Sequence, residues 1–175
     1  MSTKLKIAAA VAAAVLLSAC SSPKHEPMPL VKFTPSMEVT EVWSKGLSSA
    51  EGFLVPAVYD DMVFAAGGKT LTRLNARTGE TEWSVSFNSP ITGGVGSDGY
   101  VTAVGLWDGN LEVVDAEGKV SWEKKLTTEL ASPPVVSHGL VIARTMDTRV
   151  SAFEASSGEL QWTYQRSQPA LTVRL

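Results

Sequence analysis

Few residues of this 175-residue chain are of a type that does chemistry, and their spacing points away from it. Gly94-Val95-Gly96-Ser97-Asp98-Gly99 matches G-x-G-x-x-G, the pattern that holds a pyrophosphate at a helix N-terminus. That chemistry needs a helix to begin at the last glycine. Tyr100-Val101-Thr102-Ala103-Val104 continues instead as a strand pattern, so the motif predicts a turn and no dinucleotide cofactor. Gly67-Gly68-Lys69-Thr70 ends like a phosphate-binding loop, but Val63 stands where the first glycine is required, and it too predicts a turn. A Ser-His-Asp triad would have to draw on His138, which sits in a His-Gly turn, and His25 lies in a proline-rich stretch where it is solvated. Asp60, Asp61, Asp115 and Glu154 fall at strand ends and turns. The sequence predicts no catalytic constellation, no metal site and no cofactor.

The one cysteine carries a different chemistry. Lys4 and Lys6 precede the apolar run Ile7 to Leu17, which is too short to span a bilayer as a helix. Leu17-Ser18-Ala19-Cys20 follows and looks like a bacterial lipobox. With no second cysteine to pair with it, Cys20 is expected to be the lipidated N-terminus left when residues 1–19 are removed as a signal peptide. Ser21, rather than Asp, follows the cysteine, and by resemblance to known sorting rules this favours the outer membrane. Several acyl chains on one residue give stable anchoring. Residues 20–38, with Pro23, Pro27, Pro29 and Pro35, read as a tether.

The elements that would position any site are set by a repeat. Trp43, Trp83, Trp122 and Trp162 lie 40, 39 and 40 residues apart. Three of them close one phrase: an apolar residue, a polar residue, Ala, a turn, then Gly-x-x-x-Trp, with the glycines at Gly79, Gly118 and Gly158. A period near 40 indicates a solenoid or propeller. Hydrophobic residues make up 44% of the chain and charged residues 19%, enough for a packed core. The net charge of −3, with no basic run, argues against a nucleic-acid partner.

From Val39 onward the pattern is short strands broken by Gly, Asp-Gly and Pro. The first repeat predicts Phe53–Val58, Met62–Ala66, Thr70–Asn75 and Glu80–Phe87. The second predicts Ile91–Gly96, Tyr100–Gly105, Asn110–Asp115 and Lys119–Leu126, and the third Ala131–Ser137, Leu140–Thr145, Arg149–Glu154 and Glu159–Gln165. Four antiparallel strands per repeat make a propeller blade, so the expected fold class is an all-β propeller. Residues 39–175 would form a partial ring: a leftover strand at 39–46, blades at 53–87, 91–126 and 131–165, and the start of another at 169–175. The periodic tryptophans are expected to pack between blades rather than to stack on a ligand. Trp107, out of period before Asp108-Gly109, reads equally as an exposed contact or a loop plug. Trp107-Asp108 raises the WD40 family, but the dipeptide occurs once and at a turn.

Ala-x-x-x-Gly-x-x-x-Trp at this period resembles the PQQ-type propeller repeat. With the lipobox, the tether and Gln168-Pro169-Ala170-Leu171-Thr172-Val173-Arg174, the chain resembles the propeller lipoprotein family of the outer-membrane β-barrel assembly machinery. The resemblance implies a non-catalytic scaffold on the periplasmic face of the outer membrane. It implies docking on the POTRA domains of the barrel-forming subunit through Leu171, Val173 and Arg174. The family has Leu where Val173 stands. The family's ring has eight blades, so about three of eight are expected here, as in a fragment or truncated form. The competing class is a PQQ-type propeller enzyme or redox accessory. Such enzymes carry a vicinal disulfide at the cofactor, which a chain with one cysteine lacks.

Overall fold

The computed structural model describes residues 28–30, 33, 36–48 and 54–166. The chain divides into two units, Met1–Val39 and Thr40–Leu175. The described residues of the first are exposed and carry no strand. The second holds twelve strands in three antiparallel sheets of four, each a blade. The first blade is β1 (Ala57–Tyr59), β2 (Met62–Gly67), β3 (Thr70–Asn75) and β4 (Thr81–Ser86). The second is β5 (Ile91–Ser97), β6 (Thr102–Leu106), β7 (Asn110–Val114) and β8 (Val120–Lys125). The third is β9 (Val135–Ser137), β10 (Leu140–Arg144), β11 (Arg149–Glu154) and β12 (Leu160–Gln165). Each blade is a meander in sequence order, with every strand paired to the one before it.

Local chemistry sets these bounds. Proline cannot donate to a ladder. Pro56 therefore holds the start of β1 to Ala57, and Pro133-Pro134 hold the start of β9 to Val135. Both innermost strands are shorter than the residue pattern predicts, and Phe53 lies outside the described residues. His138 and Gly139 both have positive φ, 51° and 74°, as a two-residue hairpin turn with matching twist requires.

One expected strand is absent. Val39–Lys45 forms no ladder with any described strand. Alternation alone does not make a strand; a row of backbone partners does. This segment is fixed instead through the side chain of Trp43.

The core lies between blades rather than within them. The second and third strands of each blade are apolar on both faces, while the outer strands β4, β8 and β12 are largely exposed. Phe64, Leu71, Ile91, Val95, Val104 and Val114 close the seam between the first and second blades. Leu111, Val113, Val136, Val141 and Phe153 close the next. Neighbouring β7 residues therefore face opposite seams, as strand alternation dictates. Leu111 is fully buried. Leu111→Ala is expected to destabilise the fold by about 3 kcal/mol, the usual loss for a buried Leu plus the cavity it leaves. Chemical denaturation followed by tryptophan fluorescence measures it.

Candidate functional site

Three indoles repeat one docking arrangement. Trp43 Nε1 donates to the carbonyl of Ala76 at 2.8 Å, Trp83 Nε1 to Ala116 at 2.9 Å, and Trp122 Nε1 to Ala155 at 2.8 Å. Each acceptor lies 33 residues ahead, on the next blade. The indole then covers the glycine of that blade's turn. A Cβ added to Gly79 would stand 2.6 Å from Trp43 Cδ2, and at Gly118 and Gly158 it would stand 2.7 Å from Cδ2 of Trp83 and Trp122. The three glycines have φ of 72°, 80° and 70°, a region that L side chains avoid. Glycine is thus required twice over, by backbone conformation and by the ring against it.

The turn that presents the glycine is built from its polar residue. Asn75 Oδ1 accepts from the amides of Arg77 and Thr78, and Asp115 Oδ1 from those of Glu117 and Lys119. These are side-chain-to-backbone bonds of the kind that nucleate turns. The aim of the indole is set by a bulge. In β4, β8 and β12 the register skips one residue just before the tryptophan, leaving Glu82, Ser121 and Gln161 unpaired. A bulge bends and twists a strand locally. It turns Trp83 and Trp122 out of their own sheet toward the following blade. Residue pattern does not reveal it, because the skipped residues share no type.

The first dock carries an additional clamp. Arg73 Nη1 donates to Ala116 O at 2.9 Å, the same carbonyl that Trp83 uses, and its guanidinium lies 5.9 Å over the Phe64 ring. Glu82 Oε2 stands 2.6 Å from Arg73 Nε, an ionic contact whose N–H is not directed at the oxygen. The other blades have Val113 and Ala152 at this position. Trp162 closes the third copy of the phrase; it is 43% exposed, and its indole has no acceptor among the described residues.

The remaining chemistry-bearing residues serve the backbone. Gly94–Gly99 lies in β5 and the turn after it. Lys69, in the β2–β3 turn, donates to the carbonyl of Asn88 at 2.8 Å. His138 Nδ1 lies 2.7 Å from Ser137 Oγ. Hydrogen bonds from Thr145, then from Thr127, hold the Asp147 carboxyl below the usual range. Among the described residues no three His, Cys, Asp or Glu come together to hold a metal. Trp107 is 62% exposed and plugs nothing. Cys20, Leu171, Val173 and Arg174 lie outside the described residues.

Gly118→Ala is expected to cost about 2–4 kcal/mol, combining left-handed strain with the steric conflict against Trp83. Gly139→Ala separates the two effects. Its φ is similar, but nothing lies within 4 Å of the added Cβ, so about 1 kcal/mol should be lost. Equal losses in thermal unfolding of the two variants would refute the dock at Gly118.

Comparison with known proteins follows the same repeat. Residues 67–175 match the family described as outer membrane protein assembly factor BamB. The assembly factor BamB of Burkholderia pseudomallei is 37% identical over 95% of this chain and 45% of its own length. That of Bordetella pertussis is 34% identical over 90% of this chain and 43% of its own. The chain thus spans less than half the length of these relatives. The crystal structure of BamB from Moraxella catarrhalis aligns with a TM-score of 0.59 at 27% identity, over 69% of this chain and 37% of that one. A europium-containing methanol dehydrogenase aligns with a TM-score of 0.61 at 15% identity, over 73% of this chain and 27% of its own, a likeness of fold alone. Three four-stranded blades joined by indole docks, and a family match over 109 of the 175 residues, make this chain a member of the BamB family of outer membrane protein assembly factors.

Proposed function

We propose that this chain serves assembly of outer-membrane β-barrel proteins as a non-catalytic scaffold, held to the periplasmic face of the outer membrane by a lipid on Cys20. The observation that carries this reading is the family match, since its relatives are named as assembly factors. The use of polar side chains agrees with it. Asn75, Asp115 and Asp147 spend their oxygens on turns, and Arg73 spends its guanidinium on a carbonyl of the next blade. A rigid stack of this kind acts by presenting loops and strand edges to a partner.

The partner in this reading is the barrel-forming subunit, engaged at its POTRA domains by Leu171, Val173 and Arg174. Apolar residues two positions apart project to one side of an extended segment, and arginine is a common interface anchor. Each anchor of this kind contributes about 1–2 kcal/mol, so Leu171→Ala with Arg174→Ala should weaken binding to isolated POTRA domains at least ~10-fold. Biolayer interferometry, with circular dichroism to verify folding, tests this; unchanged affinity in a folded double variant removes the site. Cys20→Ala should move the protein from the outer-membrane fraction to the soluble periplasm or leave the precursor uncut. Mass spectrometry of the fractionated protein decides, and an acylated, membrane-bound Cys20→Ala product would refute the anchor.

A further inference from the structure

Each blade carries a cross-strand pair on the face turned toward the preceding element, one residue beyond its tryptophan. In the first blade the pair is Thr72 and Ser84, with hydroxyl oxygens 3.0 Å apart. In the third it is Ser151 and Thr163, 3.1 Å apart. Both hold one hydrogen between two oxygens. At the same register position the second blade has Glu112 opposite Glu123. Glu112 shares a face with Val114, which packs in the seam against the first blade, and only 8% of it is exposed. Two carboxylates cannot repeat the hydroxyl arrangement; a carboxyl and a carboxylate can.

We propose that Glu112 and Glu123 share one proton in the seam between the first and second blades, and that losing it as pH rises loosens that seam. No ion pair reaches either acid among the described residues. The charged groups around the seam are committed elsewhere. Arg73 of β3 is held by Glu82 of β4 and by Ala116 O. Lys69, in the β2–β3 turn, donates to Asn88 O, and Lys125 of β8 donates to Asp108 O. Lys124 alternates to the opposite face of β8 from Glu123. Strands β5 and β6 bring no charge, and Asp108, in the β6–β7 turn, brings a further negative one.

Burial first, then the charge of Glu123 and a hydrogen bond with it, then Asp108, push the Glu112 carboxyl above the ordinary value of 4.5. The folded state therefore keeps a proton that the unfolded chain has released. Stability from this pair is full below the ordinary carboxyl range and falls as pH rises through the raised value. One linked proton limits the effect to about tenfold in the opening equilibrium per pH unit.

The tryptophan docks supply the readout, because Trp83 crosses this seam and Trp122 crosses the one with the hydroxyl pair. Indole N–H exchange of both is followed by NMR on the full chain from pH 5 to pH 8, corrected for intrinsic exchange. Protection at Trp83 should fall with pH relative to Trp122, and Glu112→Gln should make the two profiles parallel. Glu112→Thr with Glu123→Ser, which copies the first blade's pair, should do the same and serves if Glu112→Gln fails to fold. Parallel profiles in the unmodified chain, or a difference that persists in a folded variant, would overturn the proposal.

Discussion

The stacking of these blades depends on a ring laid against a missing side chain. A sheet that is apolar on both faces must be covered on both. Three such sheets give a protein only if each is held in one register against the next. The indole supplies that register. Its N–H reaches one backbone carbonyl of the following blade, and its six-membered ring needs the space over one glycine. The hydrophobic seams contribute most of the driving force, but they are smooth surfaces of Val, Leu, Ile and Phe that would tolerate sliding. The docks fix the offset that those surfaces leave open.

The three docks share geometry but not surroundings. Trp43 reaches Ala76 from a segment with no strand ladder, so the contact does not need a blade to deliver it. Trp83 shares its acceptor with Arg73, which ties the guanidinium of β3 to the same oxygen as the indole of β4. Trp122 lies 6.0 Å from Phe153 across its seam, ring centre to ring centre. The seams thus differ in chemistry beyond the common contact, and the second blade's acidic pair is the largest departure.

The all-β class and the four-strand blade were legible in the residues, because Asp-Gly, His-Gly and proline punctuate the chain at nearly every strand end. The tryptophan and glycine positions were visible as a period. What they do to one another was not, since a contact across 35 or 36 residues leaves no local trace. The bulges at Glu82, Ser121 and Gln161 were hidden for a related reason: register belongs to a pair of strands, and these three residues have nothing in common. Arg73, Glu112 and Glu123 read as solvated charges until the face of the sheet is known. Val39–Lys45 misled in the opposite direction, having the alternation of a strand but no neighbour to pair with. Proline, which shortens β1 and β9, could have been weighed more heavily from the sequence alone.

The acceptor in every dock is a main-chain oxygen, and this has an evolutionary consequence. A backbone carbonyl is present whatever residue occupies the position, so drift in the acceptor's side chain leaves it in place. Only the donor ring and the glycine beneath it are constrained, and both travel with every copy of the repeat. A duplicated blade therefore arrives carrying both halves of the joint, plug toward one neighbour and socket toward the other. It can be inserted between any two existing copies without inventing a contact. Lineages of such repeats can lengthen by copying alone, while the loops and seam residues of each copy diverge afterward.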